Sequence, residues 1–343
     1  MPERTLHEEG ALTKMRALIF GALITRSIAV AAELGIADLL ADGPRTPAEL
    51  AGKCGVLEHP LYRMLRALAG EGVFAEDNEG RFALSPMAEL LRSDHPRSLR
   101  DWAIYVADLP YRSSMEMLHS LKTGESAFRK AFGAPVFDYL SAHPEYSAKL
   151  FRAMSSISAA RTAGILAAYD LSQITRLVDV GGAHGAMVAA IAKRYPNIRC
   201  TCADLPSAEQ GALKTFRDAG VADRCDFVGR DFFKDVPGGA DVYLLSGVLH
   251  NWDNERCMQI LRNCRRGIPN NGRLLVVEIV LSDDKNVPDT YSNFLDLGML
   301  TQTDGGMERT ESEYRKLLAT TGFSLSRVVP TNAPQWVIEA LPQ

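Results

Sequence analysis

Four stretches and two lone acids hold the residues of this chain whose types and spacing could do chemistry. The first is Leu177-Val178-Asp179-Val180-Gly181-Gly182-Ala183-His184-Gly185. It reads as an apolar strand running into a glycine-rich turn and then a helix. Glycines let a backbone approach a ligand closely, and a helix N-terminus offers free N–H groups. A second strand ends at Asp204, about 20 residues on, where a carboxylate can accept both hydroxyls of a ribose. The glycine spacing is G-G-x-x-G, not the G-x-G-x-x-G of dinucleotide sites. Asp179 places a negative charge just ahead of the glycines. That combination suits a ligand with a ribose and a cationic amino-acid tail better than a pyrophosphate. A dinucleotide site and a ligand-free strand–helix turn are the competing readings.

The third piece is Gly229-Arg230-Asp231-Phe232-Phe233. An acid followed by an aromatic at a strand's C-terminal end can hold an adenine, by its amino group and by its face. The bland reading is a polar loop with two core phenylalanines. The fourth is Leu249-His250-Asn251-Trp252, just past another expected strand, at the end where parallel sheets bind ligands. Two acids can serve His250. Glu278 interrupts the apolar run Leu274–Leu281, where an unpaired carboxylate would be costly. Glu308 follows Gly305-Gly306-Met307 in a polar loop. A histidine held by carboxylates is a general base with its tautomer and orientation fixed.

These residues need a scaffold, and the pattern after about residue 170 supplies an α/β one. Short apolar runs alternate with helical segments, as in a parallel sheet. Strands are predicted at Arg176–Val180, Ile198–Ala203, Cys225–Val228, Val242–Leu245, Arg273–Leu281, Ser324–Val329 and Trp336–Ala340. Helices are predicted near 184–195, 207–219, 253–267, 290–302 and 310–320. The last two strands have no helix between them, so one of them should run antiparallel.

Before residue 170 nearly everything reads helical. Residues 12–41 form one long helical stretch, apolar on more than one face, which predicts burial on both sides and a dimer interface. Thr46-Pro47-Ala48-Glu49 is a capping box with proline at the first helical position. A helix from about His59 to Ala69 follows, then a hairpin around Asp77-Asn78-Glu79-Gly80. Helix, helix and hairpin make a winged helix-turn-helix. Charge argues against DNA as its partner: residues 1–100 carry twelve Lys and Arg against fourteen Asp and Glu. Phosphate binding needs several cations on one face. Residues 97–169 are interrupted helices rich in aromatics and methionines, some of which could line an apolar pocket.

Composition sets the outer bounds. The 343 residues carry 38 Lys plus Arg and 42 Asp plus Glu, a net charge of −4, with 46% hydrophobic and 23% charged residues. That is a globular composition, neither disordered nor collagen-like. No run of about 18 apolar residues exists, so no membrane span is expected. The six cysteines form no C-x-x-C pair; Cys200 and Cys202 read as one buried strand face, and no histidine cluster near them suggests zinc. Scattered thiols and a charged N-terminus point to the cytoplasm.

The chain resembles the S-adenosylmethionine-dependent O-methyltransferases of the plant caffeate and acetylserotonin type and their bacterial natural-product relatives. The likeness runs from about residue 12 to the C-terminus. It rests on Pro60-Leu61-Tyr62-Arg63-Met64-Leu65-Arg66-Ala67-Leu68, Asp179-Val180-Gly181-Gly182, Asp231-Phe232-Phe233, Leu249-His250-Asn251-Trp252 and Gly305-Gly306-Met307-Glu308-Arg309-Thr310. It implies a class I methyltransferase domain, Rossmann-like with a seven-stranded sheet, over 171–343. It implies an all-helical winged-helix dimerisation domain over 1–100, and a helical connector over 101–170 that contributes to the substrate pocket. The expected assembly is a homodimer, with neither nucleic acid nor membrane as partner.

The resemblance places Gly181, Gly182, Gly185, Asp204, Leu205, Asp231, Phe232 and Ser246 around S-adenosylmethionine, with Met154 and Ser158 reaching it from the helical segment. It makes His250 the base, flanked by Glu278 and Glu308, with no metal required. Substrate contacts would come from Phe132, Phe137, Met154, Asn251, Met299 and Thr303. The expected reaction is in-line methyl transfer to a small aromatic hydroxyl. Non-methylating chemistry on the same fold, a hydroxylation or a pericyclic step, is the alternative. Several positions depart from the family pattern: Ala183 and His184 in the glycine turn, Arg230, Asn251 after the base, Ser246 in place of lysine, and Ser114 where many carry tryptophan.

Overall fold

The computed structural model describes residues 2–287 and 289–343. The chain divides into two compact units, one made of residues up to Arg112 with Pro144–Ile157, the other of Ser113–His143 with Ser158–Gln343. Residues 101–170, the expected connector, fall partly in each unit.

In the first unit the long helix expected over 12–41 is three helices, Pro2–Ile19, Gly21–Glu33 and Ile36–Leu39. Gly21, a poor helix former, follows the first break, and the two arms meet at 52°. Within the single chain one face is covered and the other is open. Ala29, Ala31, Ala32, Ile36 and Leu40 are buried, whereas Met15, Leu18, Ile19, Phe20 and Leu23 are more than half exposed in the single chain. The capping box forms: Thr46 N–H donates to Glu49 (2.8 Å) and Glu49 N–H to the Thr46 hydroxyl (3.3 Å). The next helix runs over Glu58–Gly70 and buries Leu61, Leu65 and Leu68.

Strands β1 (Phe74–Glu76) and β2 (Phe82–Leu84) then pair antiparallel, Phe74 opposite Leu84. The unit is thus helical with a two-stranded hairpin rather than all-helical. Leu50, Leu65, Phe74 and Phe82 meet in its core.

The second unit is built on one sheet. Its strands are β3 (Arg176–Val180), β4 (Arg199–Asp204), β5 (Cys225–Gly229), β6 (Val242–Ser246), β7 (Arg273–Leu281), β8 (Arg309–Thr310), β9 (Phe323–Val329) and β10 (Gln335–Pro342). Seven of them lie in the order β5-β4-β3-β6-β7-β10-β9, and the two-residue β8 adds to β7. The first five run parallel, and β10 is antiparallel to both β7 and β9, as the missing crossover helix required.

Alternation along the strands supplies two cores. Val178, Tyr243, Leu245 and Val276 face one side, and Leu177, Val242, Leu244 and Leu275 the other. Cys200 and Cys202 are buried on the second side, as expected. The chain reverses its direction of travel across the sheet between β3 and β6, and the motifs all follow C-terminal strand ends around that point. Among the described residues no single helix is long and apolar enough to cross a membrane.

Candidate active site

The turn after β3 is tight enough to dictate its residues. A Cβ on Gly182 would lie 2.6 Å from Asp179 Oδ2 and 2.8 Å from Cys202 Sγ. Ala183 sits at φ 48°, the one non-glycine residue with positive φ among those described. Its N–H donates to Asp204 Oδ2 (2.8 Å), and Leu205 N–H donates to Asp204 Oδ1 (2.6 Å). The end of β4 is thereby tied to the glycine turn, with Asp204 at the junction. Gly185 packs over Phe216 as the following helix, Ala186–Arg194, begins.

Asp179 is buried beneath this turn. Burial pushes its carboxyl up to about 7, against the pull of Arg161 and with a push from Asp204. Its Oδ1 is sealed from solvent with no hydrogen-bond partner, as is the Ser246 hydroxyl at the end of β6. Asp231, just past β5, accepts from Phe233 N–H (3.0 Å) and lies 3.6 Å from the Lys234 ammonium. Phe232 borders the turn: a Cβ on Gly181 would lie 3.5 Å from its ring. Leu205 is half exposed.

His250 stands in a single 3-10 turn, Leu249–Asn251, after β6. Its Nδ1 is 2.9 Å from Glu308 Oε1 and 3.7 Å from Glu278 Oε2. Glu278 is buried on β7, and its Oε1 accepts from the N–H groups of Val248 (2.9 Å) and Leu249 (2.8 Å). The carboxylate that broke an apolar strand therefore holds the turn that carries His250. Burial disfavours charge on the imidazole, but Glu278 and then Glu308 outweigh it and raise His250 to about 9. Burial also pushes Glu278 up. The ring keeps 24% of its side-chain surface open. With Nδ1 spent on Glu308, Nε2 is the nitrogen left for chemistry.

Arg309 completes the frame, and the sequence reading gave it no role. Its buried guanidinium donates to the carbonyls of Leu249 (3.2 Å), Met307 (3.3 Å) and Trp252 (2.8 Å) and to Asn254 Oδ1 (3.0 Å). Met307 N–H donates to His250 O (2.9 Å). The loop bearing Glu308 is thus fastened to the histidine turn. The only sequence signal was an arginine directly after the acid in the last motif.

The expected acceptor contacts are scattered. Phe137 packs against Trp252, the rings tilted by 30° with centroids 5.6 Å apart, beside the histidine turn. Phe132 packs with Phe128 (4.5 Å) and Tyr139 (5.1 Å) in a neighbouring aromatic cluster. Asn251 turns its amide back to Gly247 O (3.1 Å), and Thr303 is buried with its hydroxyl donating to Met299 O (2.8 Å). Both polar groups are engaged by the protein's own backbone. Met299 is half-buried on the helix Thr290–Gln302. Met154 belongs to the first compact unit, and Ser158 accepts from Arg161 (2.9 Å). Arg161 is a second residue the sequence reading passed over.

The residues fit a nucleoside with a charged tail. Carboxylates stand at the ends of β4 and β5, an aromatic borders the glycine turn, and the buried Asp179 lies beneath it with an unpartnered oxygen. His250, Glu278 and Glu308 also place one potential metal-ligand atom each within 4.8 Å of one another. The contacts they make instead orient the ring: Nδ1 is bonded to Glu308, and Glu278 to the turn amides.

An O-methyltransferase domain family matches residues 115–324, and an O-methyltransferase dimerisation domain family matches 17–94. A phenazine O-methyltransferase, PhzM of Lysobacter antibioticus, is 42% identical over 325 residues, covering 95% of this chain and 94% of its own. The structure of CalO1, a methyltransferase in calicheamicin biosynthesis with S-adenosylhomocysteine bound, is 32% identical with a TM-score of 0.86, covering 97% and 98% of the two chains. An aclacinomycin 10-hydroxylase, RdmB of Streptomyces purpurascens, is 35% identical over 314 residues, 89% of this chain and 83% of its own. Domain matches spanning most of the chain and near-complete overlap with these relatives agree: the chain belongs to the S-adenosylmethionine-dependent O-methyltransferase family.

Proposed function

We propose that His250 is the general base for methylation of a hydroxyl on a small planar aromatic acceptor, of the phenol, polyketide or phenazine kind. The observation that carries this reading is the 2.9 Å contact between His250 Nδ1 and Glu308, at the strand end that also gathers Asp204 and Asp231. Bound S-adenosylmethionine supplies a methyl group on a sulfonium, whose charge also favours the neutral form of a nearby imidazole. With Nδ1–H donated to Glu308, the Nε2 lone pair accepts the acceptor's hydroxyl proton. Glu278 and Glu308 hold the imidazolium above the ordinary histidine range, toward that of a phenol, which lowers the cost of moving the proton. The rest of the acceleration comes from positioning and exclusion of water.

Asp204 receives the ribose hydroxyls, Asp231 and Phe232 the adenine, and Asp179 the ammonium of the tail. Gly181, Gly182, Gly185, Leu205, Ser246 and Ser158 line the same ligand. Phe132, Phe137, Asn251, Met299 and Thr303 shape the acceptor side. The chain works as a homodimer, joined through the exposed apolar face of Met15, Leu18, Phe20 and Leu23 in a winged-helix unit near residues 1–100. It acts in the cytoplasm on natural-product intermediates, with no nucleic acid or membrane as partner.

The test is a methylation screen over phenolic, naphthoate and phenazine acceptors, with His250→Ala and Asp204→Ala as controls. A methyl ether that forms with wild type and is lost in both variants supports the reading. Binding of the cofactor with turnover of an acceptor to a hydroxylated product would replace it with the hydroxylase alternative.

A further inference from the structure

We propose that Arg161 receives the carboxylate of the cofactor's amino-acid tail, opposite Asp179, which takes the ammonium. The inference rests on the S-adenosylmethionine reading above and assigns the one end of that ligand which the sequence motifs leave without a partner.

Arg161 lies on the helix Pro144–Ala168, in the stretch that belongs to the sheet-bearing unit. Its guanidinium lies against the turn between β6 and His250: a Cβ on Gly247 would stand 2.7 Å from Nη1 and 3.9 Å from His250 Nε2. Nη2 donates to the Ser158 hydroxyl. Nε is sealed from solvent and has no acceptor. Asp179 and Glu278 are the acids that act on it electrostatically, yet neither forms an ion pair within 4.0 Å of it among the described residues. An arginine is always charged and carries five donors, so a largely buried one with spare N–H groups needs an anion.

Asp179 is in the mirror condition, a buried carboxylate with an unpartnered Oδ1. Two opposite charges beside the neighbouring strands β3 and β6, each with an unpartnered polar atom and not joined to each other, match a zwitterion. An α-amino acid carries its ammonium and carboxylate on one carbon, so a site for it must hold an acid and a base apart. The guanidinium fork suits a carboxylate in particular. Gly247, at φ 68°, has no side chain and leaves the guanidinium its place. An acidic group on the acceptor has the same chemistry, but the partnership with Asp179 beneath the glycine turn favours the tail.

The experiment is calorimetric titration, with no acceptor present, of wild type, Arg161→Met and Arg161→Lys. The ligands are S-adenosylhomocysteine, its decarboxylated analogue and 5′-methylthioadenosine. Wild type should bind S-adenosylhomocysteine about tenfold to a hundredfold more tightly than the decarboxylated analogue, the range of one charge-assisted contact. Arg161→Met should bind the two alike, and Arg161→Lys should recover part of the preference. Methylthioadenosine should bind all three proteins equally, which also shows that the variants are folded. Arg161→Met keeping the wild-type preference overturns the assignment. Wild type binding none of the three nucleosides overturns the S-adenosylmethionine reading itself, and the proposal with it.

Discussion

Replacing Glu308 by glutamine keeps the shape of the side chain and removes its charge from His250. The difference between about 9 and the ordinary 6.5 amounts to roughly 3 kcal/mol in favour of the imidazolium, net of the burial that opposes it. Two carboxylates supply it. Glu278 stands 3.7 Å away with one oxygen spent on the turn amides, and Glu308 stands 2.9 Å away in a direct hydrogen bond. A hydrogen bond to a charged group contributes about 1.5–3 kcal/mol, or one to two pH units.

In the cofactor-free protein, Glu308→Gln should therefore bring the His250 ionisation from about 9 to between about 7 and 8. The assay is an NMR titration of protein with 13C-labelled histidine rings, with His250→Ala to assign the signal. The same substitution lets the ring swap tautomers, so turnover should fall by about two to three orders of magnitude, within the range for a general base. The two readouts move in opposite senses: His250 becomes neutral more readily while catalysis worsens. A wild-type His250 that titrates between pH 6 and 7, or a Glu308→Gln variant that titrates where wild type does, refutes the reasoning.

Three further outcomes are expected. Asp179 is raised above its unfolded value, so the fold loses stability as pH climbs from about 4 through 7; Asp179→Asn should raise the melting temperature at pH 8, leave it unchanged near pH 3, and weaken S-adenosylhomocysteine binding. Ala183→Gly should stabilise the protein by about 0.5–1 kcal/mol in denaturant titration, because alanine at φ 48° is strained more than glycine costs in unfolded-chain entropy; a loss of stability would mean that the strain is absent. Leu18→Asp with Phe20→Asp puts charge on the exposed apolar face of the N-terminal helices and should turn a dimer into a monomer in sedimentation, with little change in the core-packed helix that follows; an unchanged sedimentation coefficient would place the interface elsewhere.

Local pattern along the chain determines much of this protein. Apolar runs bounded by turns put β3 and β7 at the residues expected, and the Thr46 capping box formed as spelled, because such features depend on a few neighbours along the chain. Glu278 was legible for the same reason: a carboxylate inside an apolar strand demands a partner wherever the strand goes. Its partners were not, and only folding showed that one oxygen holds the turn amides while Glu308 takes the imidazole.

The partners of Arg161 and Arg309 were invisible at the level of pattern, since an arginine on a helix or in a loop reads as a solvated charge until the chain closes over it. The bend at Gly21 and the exposure of Leu18 and Phe20 belong to the same class. An apolar helix face records that it must be covered, and not by what. Asn251 and Thr303 spend their polar groups on nearby carbonyls, a choice set by the loop in which each is held. Spacing along the chain thus determines elements and motif chemistry, whereas pairing between distant residues is decided only in three dimensions, where distance and burial set the energy of each charge.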